Sequence, residues 1–183
     1  MSKPTLDLMN QKFILELNGA LAMENAGAER LETRIEEVSL PEVKRRLEHH
    51  LQESKEHKER LEQIISSIGG EPTLEKLGLP LPAYPQDMKK MMDKTMTKQE
   101  YELKRTEEDI ILENAEVCCY LMIIQKCQIA GGVYANAIEP LSQNMKDEQH
   151  MVDWIRTNSP GMLAQLWPKI QSAVAASAPP FTL

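Results

Sequence analysis

Aromatic residues make up only 4% of this 183-residue chain, and runs of β-branched residues are scarce. That disfavours a sheet architecture. Leu, Ile, Met, Ala, Glu, Lys and Gln dominate instead, and these favour helix. Lys and Arg are in deficit, with a net charge of −7, so general nucleic-acid binding is excluded because nothing offsets phosphate repulsion. No apolar run reaches membrane-spanning length; the longest, Val117 to Ile124, is too short, and no membrane partner is expected. The N-terminus, Met1-Ser2-Lys3-Pro4-Thr5, has no apolar signal-peptide core. Cys-x-x-Cys is absent. The odd number and apolar surroundings of Cys118, Cys119 and Cys127 point to reduced, buried thiols in a cytoplasmic protein. A redox role for the adjacent Cys118 and Cys119 stands beside the plainer reading, packing. No Gly-x-Ser-x-Gly elbow occurs, and Gly69-Gly70 and Gly131-Gly132 read as helix ends, not phosphate loops.

What remains is helical. A first helix is expected over 5–37, with Thr5 and Asp7 serving its N-terminus. Ser39-Leu40-Pro41-Glu42 reads as a tight link, with Ser39 as N-cap, Pro41 in the first turn and Glu42 completing a capping box. A second helix ends at Gly69-Gly70. The segment 71–87 holds Pro72, Pro80, Pro82 and Pro85 and reads as a long crossover. A short Met-rich helix over 88–96 follows, either a binding surface or, preferred, a cover packed over the bundle. The helix over 98–130 is apolar nearly all round in its second half and is expected to be the most buried. Gly131-Gly132 ends it, a helix over 133–157 follows, and Ser159-Pro160 starts a fifth long helix to 176. Two helical hairpins joined by a long crossover describe an all-α, up-down four-helix bundle of ferritin-like topology. Residues 1–176 read as one domain and 177–183 as a flexible tail.

Acidic residues recur inside the apolar stripes. Glu24 points where Phe13, Leu17, Leu21, Ala28 and Leu31 point. A lone carboxylate facing a core costs several kcal/mol unless it is paired, protonated or bound to a metal. His50, Glu53 and His57 share one face of the second helix, Glu113 and Glu116 border the apolar face of the 98–130 helix, and Glu148 interrupts the next stripe. His50 and His57 are core histidines or ligands, with His57 the stronger candidate. Asp147-x-x-His150 reads as surface decoration, because His150 lies on the far side. Di-iron bundles take a Glu from each of two helices and a Glu-x-x-His from each of the other two. Here glutamates come from all four helices, but both Glu-x-x-His pairs are missing at their usual spacing. Carboxylate and imidazole suit iron or manganese.

These residues resemble the YciE/YciF-type ferritin-like proteins, bacterial stress-associated proteins, over roughly 13–155. His49-His50-Leu51-Gln52-Glu53-Ser54, with Arg60-Leu61 beyond, is similar to the family's His-Leu-x-Glu-Thr and Arg-Leu pattern. Leu112-Glu113-Asn114-Ala115-Glu116 resembles its Val-Glu-His-Tyr-Glu, and Asp147-Glu148 its Glu-Glu. The resemblance implies a ferritin-like bundle, a homodimer, and ligand-like glutamates at Glu24, Glu53, Glu113, Glu116 and Glu148. Asn114 and Ala115 depart from the family's His and Tyr, which puts that ligand in doubt; His57 would compensate.

The leading expectation is therefore a stress-associated protein with a dinuclear iron or manganese site. Glu53 and Glu148 would bridge by analogy with other ferritin-like sites, with Glu24 and one of Glu113 or Glu116 terminal, and His57 an added nitrogen ligand. Its chemistry would be metal sequestration or oxidation of Fe(II) by oxygen or peroxide. Tyr120, one turn beyond Glu116, hydrogen-bonds a ligand, supplies an electron, or is simply a core tyrosine. The rival expectation is a non-enzymatic bundle whose glutamates share protons or pair without metal.

Overall fold

Each helix end has a local cause. The structure is a computed structural model that describes residues 7–177. α1 spans Leu8–Glu37, and the Asp7 carboxylate caps it by accepting from the Met9 N–H; Thr5 lies outside the described residues. α2 spans Pro41–Ser67, α3 Gln86–Thr95, α4 Lys98–Ala130, and α5 Ile138–Ser177, with a short 3-10 turn over Gly132–Ala137. At α4 a capping box forms between Thr97 and Glu100. Its far end is Gly131, followed by Gly132, both at positive φ (64° and 57°), a conformation that favours glycine.

Three expectations about these elements change. Ser39 is not the cap of α2. That position is Leu40, and the Ser39 N–H and hydroxyl both donate to Glu102 of α4, which also accepts from the Leu40 N–H. A carboxylate from another helix thus supplies acceptors at the start of α2. The break expected at Ser159-Pro160 is absent, and the C-terminal segment is helical but continues α5. Pro160 removes one backbone donor, and the carbonyl of Arg156 it would have served accepts from the Ser159 hydroxyl at 3.2 Å. The buried stripe Met162, Leu166 and Ile170 keeps this extension docked near the start of α2, where Gln165 donates to Glu42. The Met-rich helix α3 buries none of its side chains, and Met88 and Met91 are exposed, so it is no packed cover. The tail called over 177–183 is helical at Ser177, and the rest lies outside the described residues.

The protein is an all-α bundle. α1 pairs with α2, α4 with α5, α1 with α4 and α2 with α5. Contacts Glu37–Arg105, Arg30–Asp109 and Glu16–Lys126 make α1 antiparallel to α4. Contacts Gln165–Glu42, His57–Asp147 and Arg60–Asn144 do the same for α2 and α5. α2 and α4 therefore run parallel, which is why a long crossover is needed. The crossover lies along α1, where Asn18 and Asn25 donate to the carbonyls of Glu71, Thr73 and Glu75 and the Leu77 N–H donates to Ala22. Two apolar clusters fill the bundle. One gathers Phe13, Leu17, Leu61, Ile65, Ile123 and Leu141; the other gathers Leu31, Leu47, Met151, Ile155 and Leu166. Between them lies the polar centre.

Candidate metal centre

Helical spacing brings the polar side chains inward. Along α2 the buried positions run Leu47, His50, Ser54, His57, Leu61, one side chain per turn on one stripe. Glu24 from α1, Glu113 and Glu116 from α4, and Asp147 and Glu148 from α5 are buried opposite them. All but Asp147 are at most 4% exposed.

Glu148 is the hub. Its Oε1 lies 2.8 Å from Nδ1 of His57 and its Oε2 lies 3.2 Å from Nε2 of His50. Neither contact has hydrogen-bond alignment, so both oxygens are buried without an aligned donor. The same imidazole nitrogens align with other carboxylates: His57 Nδ1 with Glu24 at 3.1 Å, and His50 Nε2 with Glu113 at 2.9 Å. Two three-residue groups result, Glu24–His57–Glu148 and His50–Glu113–Glu148, and within each the donor atoms lie inside 4.8 Å of one another.

The second nitrogen of each imidazole faces outward to a further carboxylate. His50 Nδ1 lies 2.9 Å from Glu53, which is held by Arg46 at 3.1 Å and His49 at 3.3 Å. His57 Nε2 lies 3.3 Å from Asp147, which accepts from Gln143 at 2.8 Å and has Arg60 at 3.6 Å. In metal sites a ligating histidine donates its other N–H to a carboxylate in this way, which fixes tautomer and ring orientation. Tyr120 donates its hydroxyl to Glu24, Asn144 donates to that hydroxyl at 3.1 Å, and Arg60 holds Asn144 at 2.9 Å.

The charge states follow from this crowding. Burial opposes a charge on His57, but Glu148 and Glu24 outweigh it and push its pKa to about 10. Burial likewise opposes charge on His50, yet Glu113 and Glu148 raise its pKa well above the ordinary value. Burial pushes Glu113 up to about 8, against the pull of His50. Burial, then Glu148, Glu24 and Glu113, push Glu116 well up. For Glu148 burial acts upward, but His50 and His57 hold it well below the usual carboxylate range. Burial beside Glu24 and Glu148 pushes the Tyr120 hydroxyl well up. Gly27, one turn along α1 from Glu24, leaves room for Glu116: a Cβ there would stand 3.3 Å from Glu116 Oε1.

The sequence-derived candidates thus divide. Glu24, His57, Glu113 and Glu148 fall in the two groups, and Glu116 is buried among the same carboxylates. Glu53 stands outside both groups, half-buried and bonded to His50. Sequence reasoning undervalued His50, although its place in the α2 stripe marked it. It also misread Asp147, which is buried and reaches His57, while His150 is exposed as expected. The missing Glu-x-x-His pairs become legible too. Ser54 is buried three residues before His57 and Met151 three after Glu148, so each motif keeps one of its two ligand-type residues. Asn144 gave no sequence signal beyond polarity at a helical face, and Arg60 was marked only by the Arg-Leu resemblance, which assigned it no role at the site.

The donor set fits a divalent cation. It combines carboxylates and imidazoles, a buried carboxylate hub, Glu148, with no aligned donor on either oxygen, and a glycine cradle for a further carboxylate.

No curated protein matches the chain. Among solved structures, a protein from Xanthomonas campestris pv. campestris is similar in fold, with a TM-score of 0.71 at 15% identity, covering 88% of this chain and 98% of that one. The family pattern described as "Domain of unknown function (DUF892)" matches residues 9–166, and the chain belongs to that family.

Proposed function

We propose that the protein binds two divalent cations, iron or manganese, at the bundle centre, with Glu148 shared between them. The observation that carries this is the Glu148 carboxylate, fully buried and flanked by two imidazoles, with no aligned donor on either oxygen. Glu24 and His57 would complete one site and Glu113 and His50 the other, with Glu116 as a further carboxylate beside them. Charge supports the count. Glu24, Glu113, Glu116 and Glu148 carry four negative charges when ionised, which two divalent cations balance with both histidines neutral.

Bound here, such ions would supply redox chemistry toward oxygen or peroxide, with Fe(II) as the oxidised substrate, or would simply be sequestered. The chain's own residues do the rest. Glu53 and Asp147 accept the outward N–H of His50 and His57 and so aim the inward nitrogens. Tyr120 donates to Glu24 and fixes that carboxylate's rotamer. The apolar clusters on either side exclude water and strengthen every charge interaction between them. The resemblance to YciE/YciF-type proteins supports a stress-associated, cytoplasmic role.

A second reading rests on the pairing of both histidines with carboxylates at hydrogen-bond distance, a metal-free polar core. Metal content separates the two. Protein purified without chelator and reloaded anaerobically with Fe(II) or Mn(II) is expected to hold about two equivalents and to melt lower after chelation. A chain that binds neither ion and melts identically with and without chelator is a polar core, and the metal reading falls.

A further inference from the structure

Arg34 is 1% exposed, yet it uses only one edge of its guanidinium. Its Nε–H donates to Asp109 of α4, at 2.9 Å to one oxygen and 3.3 Å to the other. Nη1 and Nη2 are also buried and have no hydrogen-bond partner among the described residues. A buried donor without an acceptor is costly, more so when charged. Arg34 lines a cavity of about 360 Å³ between the end of α1 and the start of α4, together with Glu37, Lys98, Tyr101, Glu102 and Arg105. None of these neighbours serves the free nitrogens. Glu37 is held by Arg105 at 3.0 and 3.2 Å, Glu102 accepts from Ser39 and Leu40, and Tyr101 donates its hydroxyl to Asp93. Lys98 is exposed and has no partner among the described residues. It opens α4, where the first N–H groups have no intrahelical acceptor and favour an anion.

We infer that this cavity binds a phosphate group, free or on a small phosphomonoester, with the Arg34 fork at its inner end and Lys98 at its mouth. The donor geometry selects an oxyanion. With Nε turned to Asp109, the Nη1–Nη2 edge remains, and a guanidinium edge grips two oxygens of a phosphate or carboxylate at once. The acceptors on the wall then select among oxyanions. Glu37 and Glu102 keep lone pairs beyond those their donors use. They repel an oxyanion that has lost every proton, but accept from one that still carries a hydroxyl. Phosphate keeps such a proton near neutral pH; sulfate and carboxylate ligands do not. The cavity shares no residue with the two groups at the polar centre, so the proposal and its test do not depend on metal.

The full chain, stripped with chelator so that no metal carries the anion, is titrated by calorimetry with inorganic phosphate and separately with glycerol phosphate. Saturable binding is expected, with a dissociation constant roughly millimolar or tighter. Tighter binding of the ester would name a phosphomonoester as the source, and tighter binding of phosphate the free ion; both support the site. Lys98→Glu should weaken binding about tenfold or more. Lys55→Glu, the same charge change at an exposed position of α2, should leave it unchanged. Arg34→Lys keeps a cation near Asp109 but removes the fork, and should also weaken binding about tenfold or more. Circular dichroism reports whether each variant is folded; if Arg34→Lys is not, the two exposed lysine variants decide. Sulfate should bind about tenfold more weakly than phosphate, or less. No saturable binding of either probe, equal weakening by Lys98→Glu and Lys55→Glu, or undiminished binding by folded Arg34→Lys would overturn the proposal. Sulfate binding as tightly as phosphate would overturn the assignment to phosphate.

Discussion

Around Asp109 one buried carboxylate meets two guanidiniums, Arg30 at 2.9 Å and Arg34 at 2.9 Å. Around Glu148, nearer the middle of the bundle, four buried glutamates meet two imidazoles. The arginine cluster is balanced in charge, because Arg30 also meets Glu108 at 3.1 Å, although both terminal nitrogens of Arg34 lack a partner; the acidic cluster has anion to spare, and both oxygens of Glu148 lack an aligned donor. Guanidinium stays charged at any working pH, so the first cluster is a permanent clamp between α1 and α4. Imidazole and carboxyl groups exchange protons, so the second can trade protons for metal. A buried ionic cluster built on arginine is suited to holding structure, and one built on histidine and glutamate to chemistry.

The hardest blow to this contrast is Glu148→Gln. It should reduce bound metal from about two equivalents to almost none by mass spectrometry, while the Arg34–Asp109 clamp stays; retention of either equivalent would show that Glu148 is not shared. Asp109→Ala is the converse. Stranding the buried Arg34 guanidinium, while Arg30 keeps Glu108, should cost about 3–5 kcal/mol in urea unfolding, with metal stoichiometry unchanged wherever the protein is folded. Loss of metal from folded Asp109→Ala protein would mean that the clusters are one unit.

Glu53→Gln refines the acidic side. As a residue that positions His50, it should lower metal affinity about 10- to 100-fold in a chelator competition, at unchanged stoichiometry. Loss of a whole equivalent would make Glu53 a ligand, as first expected from its sequence. The pH dependence follows from protons held in the metal-free fold. The His57 pKa rises from its ordinary 6.5 to about 10, so its stabilising pairing is complete below 6.5 and is lost as pH climbs toward 10. Glu113 moves from 4.5 to about 8, and its buried neutral form is lost over that rise. Chelated protein should therefore melt lower as pH increases from 6 to 9, whereas metal, which displaces those protons, should stabilise more. Parallel melting curves with and without metal across that range would refute the exchange. The smallest effect is Gly27→Ala. Helix propensity favours alanine by up to about 1 kcal/mol, while the new Cβ crowds Glu116. Metal-free protein should change little in stability and bind metal more weakly; unaltered affinity would free Glu116 from any role.

The long helices were legible because their signals are local. Apolar residues recur at helical spacing, and Gly69-Gly70 and Gly131-Gly132 punctuate them. The misread features are those settled by partners far along the chain. Ser39 has a capping sequence, but Glu102 of α4 claims its donors. Pro160 has a break signal, but the Ser159 hydroxyl and the buried face of α5 carry the helix through it. Asp147 looked like surface because its neighbour His150 is, yet the turn of α5 that exposes one buries the other.

The sequence alone determined a helical bundle with acidic residues in its apolar stripes, because periodicity fixes which way a side chain points from its own helix. Only the tertiary structure decided which of those groups meet. It made Glu148 the shared hub, brought His50 to Glu113, sent Glu53 to the outer side of His50, and turned an apolar side of α4 to solvent. These outcomes depend on the rotation and register of one helix against another. Those are set by packing over the whole bundle and by a crossover that makes α2 and α4 parallel, and no short stretch of sequence contains them.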